Sequence, residues 1–282
     1  MYINTIIYGI IYTVYTMKKC VIFGNCQGSG VRKFLELSKF YDTYEVQQFA
    51  NWELIQNENM VIPIRSLQEA DLIIYQPLSD VHNCYSTNKN NPQSVFNLLK
   101  DTCKTISFPR IHNNAFFPVF HKNPRGIMYG SFTNKVSSCD ELVYLYDNDR
   151  IDYDFTNRMN ANYTISKEKE EECDVKIIEF IMQNVHKHKL FLTQDHPTSI
   201  VFNEVVKQIC DHLELDYDHE RGAIHDENIV GLEDSMYHRK DCQYPISRYA
   251  IRHFGLEYIN TEHPDADEFY RNTTIAKYHQ LR

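Results

Sequence analysis

Short apolar runs separated by helix-like segments punctuate the first 110 residues, and this alternation limits the fold more than any other feature. Residues 19–23 (Lys-Cys-Val-Ile-Phe) read as a strand and 29–39 as a helix. Residues 44–49 alternate and read as a second strand, and 64–70 as a short helix. Residues 71–75 (Asp-Leu-Ile-Ile-Tyr) are almost continuously apolar, as a strand covered on both faces must be. Residues 92–100 read as a helix with Pro92 near its start. Residues 105–108 make a fourth strand, stopped by Pro109. Strands that alternate with helices call for a parallel sheet with right-handed crossovers. The expected fold is therefore α/β, a doubly wound, mainly parallel sheet with a helical C-terminal region.

The junction after the first strand carries the chemistry. Gly24-Asn25-Cys26-Gln27 is followed by Gly28-Ser29-Gly30 and an amphipathic run opening at Val31. A strand–turn–helix corner lifts a side chain off the carboxyl edge of the sheet, where open α/β folds bind ligands. It also aims helix-start N–H groups at that spot, which favours thiolate and phosphate alike. A lone cysteine more often fills core space; the ring of Gly24, Asn25, Gln27 and Gly28 around this one favours a chemical role. The N–H groups near Gln27 and Gly28, with Asn25, are candidate oxyanion donors. Gly28, Ser29 and Gly30 with Arg32 and Lys33 are a candidate phosphate cradle, and Arg110 a further cation. Arg32 and Lys33 read equally well as the solvated face of a helix.

Other polar groups follow predicted strands. Gln76 comes after the third, and His112-Asn113-Asn114 after the fourth. In a parallel sheet such strand ends share one edge, so Gln76, His112 and Asn113 are candidate substrate-binding residues. Gln76 and Asn113 can equally serve only the loop backbone. Farther on, Gln194-Asp195-His196-Pro197-Thr198 sits between helix-like segments at 166–189 and 198–213. The first of these opens on an acidic stretch, favourable at a helix N-terminus. The second spaces Ile200, Val201, Val205, Ile209 and Leu213 as a core face. His196 before that helix is a candidate general base. No His pair has metal-ligand spacing with supporting Cys or carboxylates, so no metal is expected.

Composition narrows the partners. The net charge of −9, without a basic stripe interleaved with aromatics, argues against nucleic acid. The eight cysteines are scattered with no C-x-x-C pair, which fits reduced thiols in a cytoplasmic setting. The 20 tyrosines with many Asn and Ile fit an AT-rich genome such as a giant DNA virus, in which case the cytoplasm is the host's. Residues 1–16 are apolar but short for a span of ~20 residues, with neither a basic start nor a cleavage site. They read as a non-native extension ahead of Met17, an extra edge strand or a membrane-surface anchor; membrane association is not expected. Residues 110–165 read as long loops with short elements. No linker interrupts the chain, so 17–282 is expected to form a single α/β domain with a helical C-terminal part.

Gly24-Asn25-Cys26-Gln27 after a first strand, Gln76 after a later one, Phe108-Pro109, and Asp195-His196-Pro197 before a helix resemble the WcbI family of polysaccharide-biosynthesis proteins. The resemblance runs through residues 18–215. It implies binding of coenzyme A and acetyl transfer from acetyl-CoA to a hydroxyl or amino group of a sugar or nucleotide-sugar. Cys26 would carry the acetyl group or line the thioester site, and His196 would deprotonate the acceptor or Cys26. The layout is also similar to SGNH-type hydrolases, with Cys in place of Ser and no clear D-x-x-H. A thiol esterase or deacetylase and a carbohydrate-binding protein without catalysis remain the alternatives. The acceptor, O- against N-acetylation and the oligomeric state stay open.

Overall fold

The computed structural model describes residues 2–7, 10–57, 59–119, 135–224, 243–258 and 265–281. They divide into two compact units. The first holds residues up to Arg110 with Cys173–Val175 and Asn203–Gly222; the second holds Ile111–Glu172, Lys176–Phe202 and the chain from Ala223 on.

In the first unit, β1 (Tyr2–Ile7) and β2 (Ile10–Tyr15) pair antiparallel as a two-stranded sheet, with no further strand partner among the described residues. The main sheet comprises β3 (Lys18–Gly24), β4 (Tyr44–Ala50), β5 (Leu72–Tyr75) and β6 (Lys104–Ser107). The order is β4-β3-β5-β6, and every pairing is parallel. All four strands fall where the apolar runs predict, and the doubly wound α/β fold is the one observed.

Both faces of the sheet are covered. Val21, Phe23 and Ile73 join Leu54, Leu67, Ala70, Val95 and Phe96 in one core cluster. Alternation turns Cys20 and Ile22 to the other face. There α1 (Gln27–Phe34) packs, a Cβ on Gly28 falling 3.4 Å from Ile22 Cγ2. A short helix α2 (Phe40–Thr43) leads into β4. The β4–β5 crossover, with α3 (Asn51–Gln56) and α4 (Ile64–Gln68), lies on the Val21 face. So does the β5–β6 crossover, through Val95 and Phe96. The chain therefore leaves β3 and β5 towards opposite faces, and the gap between their carboxyl ends is the topological switch point.

One expected helix is absent. Residues 92–100 form only a 3-10 turn at Val95–Leu98, capped by the Ser94 hydroxyl. The asparagines before it bond locally: Asn90 N–H to Asn88 Oδ1 and Gln93 N–H to Asn91 Oδ1, both at 3.0 Å. Side chains of this kind offer the backbone an alternative to helix.

The second unit is mostly helical, as expected of the C-terminal region. It contains α5 (Cys139–Asp147), α6 (Phe155–Glu171), α7 (Ile178–Asn184) and the short ribbon β7 (Phe191–Thr193)–β8 (His196–Pro197). α8 (Ser199–Leu213) runs from this unit into the first, followed by α9 (His219–Ile224). The last elements are α10 (Arg248–Phe254) and α11 (Ala266–Leu281). Two expectations change here. Residues 110–165 are not all loop, because α5 and most of α6 lie within them. The helix expected at 166–189 is two helices, and the acidic run closes α6 instead of opening it. Glu170 turns inward, where its carboxylate accepts from the Ile177 and Ile178 N–H groups and pairs with Lys167. It thereby caps α7.

Candidate active site

The turn 24–27 stands at the switch point, held by one amide. Gln76, 2 % exposed, follows β5 directly, and its N–H donates to Phe23 O at 2.9 Å. Its Oε1 accepts from the Asn25 N–H at 2.9 Å. Its Nε2 donates to Oε1 of the buried Gln27 at 2.8 Å and to Pro109 O at 3.4 Å. This contact explains Gly24, where a Cβ would lie 3.2 Å from Gln76 Oε1 and 3.4 Å from Phe108 Cζ. The end of β5 and the Cys26 turn are thus one rigid piece.

Asn25 shapes the turn as well, since its Oδ1 accepts from the Gln27 N–H at 2.9 Å. The next donors close the first helical turn, Gly28 N–H to Asn25 O at 3.0 Å and Ser29 N–H to Cys26 O at 3.1 Å. The N–H groups of Gln27, Gly28 and Ser29, expected as oxyanion and phosphate donors, thus each have an acceptor within the chain. The helix begins at Gln27, two residues earlier than expected, so Cys26 is its N-cap residue, with helical φ −54° and ψ −24°. Ser29 is tied to β4 by Gln48 Nε2 at 2.8 Å, and Gly30 is buried within α1. Arg32 and Lys33 occupy the last turn of α1, where cations suit the helix dipole. Lys33 pairs with Glu36 at 2.7 Å, and Arg32 and Arg110 are exposed. Cys26 is half-buried.

The remaining candidates belong to the second unit. Asn113, 2 % exposed, accepts at Oδ1 from the Ala115 and Phe116 N–H groups at 2.9 and 3.1 Å, and its own N–H donates to Gln194 O at 2.8 Å. That gives Asn113 a turn-forming role. It also brings the His112-Asn113 segment against the loop that carries His196. His112 is half-buried, and its carbonyl accepts from Asn162 Nδ2 at 3.3 Å. His196 opens β8, half-buried, with Nδ1 2.6 Å from Thr193 Oγ1. Burial lowers its pKa, partly opposed by the Asp195 charge. The imidazole is therefore held neutral near pH 7. Thr193 fixes the ring, a role that the sequence signals only as a hydroxyl three residues before a histidine across a tight ribbon.

A separate cavity of about 280 Å³ opens in the second unit beside Asp149, Asp152, Asp154 and Arg252. Its carboxylates are committed: Asp149 to Arg248 and Arg252 at 2.7 and 3.1 Å, Asp152 to Lys135 at 2.6 Å, and Asp154 to Asn157 at 2.8 Å. Among the described residues no group of three or more His, Cys, Asp or Glu is placed to hold a metal ion, and no helix is long and apolar enough to cross a membrane.

Comparison with known proteins agrees with this architecture. The fold matches a solved structure of WcbI, described as a novel polysaccharide biosynthesis enzyme, as native protein without a disulfide bond between CoA and one of its cysteines. The TM-score is 0.55 at 16 % identity, over 93 % of this chain and 99 % of that one. No curated protein matches the sequence. The family model of the polysaccharide biosynthesis enzyme WcbI matches residues 19–217. With more than half of its length matched, including the whole Cys26 turn, the chain belongs to the WcbI family of polysaccharide biosynthesis enzymes.

Proposed function

We propose that the protein is an acetyl-CoA-dependent acetyltransferase acting on a hydroxyl or amino group of a sugar or nucleotide-sugar. The observation that carries this reading is Cys26, a half-buried thiol set at the switch point on a turn that Gln76 fixes from both sides. Open α/β sheets bind ligands there. The solved WcbI structure at this fold is described by reference to a disulfide bond between CoA and a cysteine of that protein, absent in that native form. The residues present here suit a thioester: a thiol, an apolar rim beyond β4 and β5, and exposed cations at Arg32 and Arg110 for phosphates.

Cys26 either attacks the thioester carbonyl or shapes its pocket. In the covalent route Cys26 gives up its proton to solvent, a bond forms between its Sγ and the acetyl carbon, and the acetyl–sulfur bond of CoA breaks, releasing CoA as its thiolate. The acceptor then attacks the acetyl-cysteine, and Cys26 leaves as thiolate. His196, neutral near pH 7, is the proposed base that takes the acceptor's proton. With the helix-start N–H groups engaged, the oxyanion is assigned to no donor of the Gln27–Ser29 turn.

Native mass spectrometry after incubation with acetyl-CoA tests the reading. A non-covalent CoA mass, or an acetyl adduct mapping to Cys26, supports it. Folded protein carrying neither contradicts it. Rapid hydrolysis of acetyl esters without CoA binding would make the protein a thiol esterase.

A further inference from the structure

The chain contains a single tryptophan, and it is not buried. Trp52 lies in the first turn of α3 with 45 % of its surface in solvent. Among the described residues its indole has no ring partner. Its place follows from strand register. Gly24 pairs with Ala50 in the parallel β3–β4 ladder, so Cys26 and Trp52 each stand two residues beyond paired strand ends. Neighbouring strands lie about 4.8 Å apart, which puts both residues at one level of the sheet's carboxyl edge.

They belong to opposite walls of that edge. α1 departs on the Ile22 face, and α3 on the Val21 and Phe23 face, where Leu54 enters the core. α3 also packs against the 3-10 turn Asp80–Tyr85, which follows β5. On these two elements Ile55 and Val81 are exposed as well, Val81 by 79 %. Single exposed apolar residues need no explanation. Apolar groups on the elements that follow both neighbours of β3, with Trp52 at the level of the candidate thiol, call for one.

We infer that Trp52, with Val81, forms the wall that receives the pantetheine arm of CoA. This rests on the CoA reading above. Reach decides which part of the ligand meets this wall. A ligand whose thiol lies at Cys26 must place its cysteamine and pantothenate groups in the next several ångströms, whereas its nucleotide lies at the far end of the arm. The arm is uncharged, with amides and a geminal dimethyl group. It matches an indole face with an N–H donor beside a valine.

The lone tryptophan makes the test direct, because intrinsic emission excited at the red edge of the indole band reports this residue alone, and adenine does not absorb there. CoA and pantetheine should each change the emission, and adenosine 3′,5′-bisphosphate should not. Trp52→Ala should weaken CoA and pantetheine about tenfold, leave adenosine 3′,5′-bisphosphate unaffected, and be largely rescued by Trp52→Phe. An emission change reproduced by adenosine 3′,5′-bisphosphate would mean that Trp52 stacks on the base, overturning the inference. Calorimetric CoA binding with unchanged emission would overturn it too, leaving the CoA reading intact. Folded protein that binds no CoA at all removes that reading and the inference together.

Discussion

Gln76 accepts a hydrogen bond from the backbone N–H of Asn25 at 2.9 Å, joining the end of β5 to the turn that leaves β3. The same amide donates to Gln27, so one buried side chain satisfies both flanks of Cys26. Gln76→Leu leaves the Asn25 N–H and Gln27 Oε1 without this partner, at a cost of about 1–3 kcal/mol. Gln76→Glu keeps the acceptor but loses the donor and buries a charge, so it should cost at least as much. Urea denaturation of both variants checks this; wild-type stability in both would show that the bridge is incidental.

Gly24→Ala should act through the same bridge. The added Cβ would sit 3.2 Å from Gln76 Oε1, with Phe108 behind it. Overpacking of this kind typically costs about 1–3 kcal/mol. Combined with Gln76→Leu, the two losses should be less than additive, because the second removes the atom that the first crowds. Full additivity would contradict the proposed crowding.

For the thiols, burial pushes Cys20 far up and Cys103 and Cys210 up to about 11. Cys26 should react with iodoacetamide ahead of these three, and CoA should slow it. The half-buried Cys139, on α5, serves as the control whose rate CoA does not change. Peptide mapping after brief alkylation reads all of them; equal protection of Cys26 and Cys139 would mean that CoA acts nonspecifically.

His196 gives a pH signature. Burial depresses its pKa, so between the folded and the ordinary histidine values the unfolded chain binds a proton that the folded chain resists. Stability therefore rises with pH across that window and is lost as pH falls through it. His196→Asn should remove this part of the slope. If His196 is the base, the acid limb of the rate profile lies below the ordinary histidine range, and His196→Ala lowers the rate ~10²–10⁴-fold. An acid limb at or above that range contradicts the assignment.

Glu170 supports the second unit without touching chemistry. Glu170→Ala strips the Ile177 and Ile178 N–H groups of their acceptor and leaves Lys167 without this partner, at a cost of about 2–4 kcal/mol. Glu170→Gln, still an acceptor, should lose less. CoA affinity of the folded fraction should not change in either; a loss of affinity at full folding would show a functional role.

The sheet is legible in the sequence because runs such as Cys20-Val21-Ile22-Phe23 can be buried only as strands covered on both faces. The break at Cys173–Val175 is not, because its cause is tertiary. Asp174 Oδ2 accepts from the Ser107 N–H and hydroxyl, both at 2.7 Å, and nothing local in 166–189 announces that contact. α5 does carry a local signal, which the aromatic, irregular character of 110–165 masks: Ser138 and Glu141 form a capping box, with Glu141 N–H donating to Ser138 Oγ at 3.1 Å. At the site, the motif residues mark the Cys26 turn but not the use of its donors. Whether an N–H group is open to a ligand depends on its local acceptors, and here Asn25 takes both, the Gln27 N–H at Oδ1 and the Gly28 N–H at its carbonyl.

Calorimetric titration of the folded protein with acetyl-CoA tests the central claim most directly. Saturable binding at one site per chain is expected, abolished or strongly weakened when Cys26 is first alkylated. Binding that is unaffected by a bulky adduct on Cys26, or no binding at all, would contradict the CoA-dependent role of this turn.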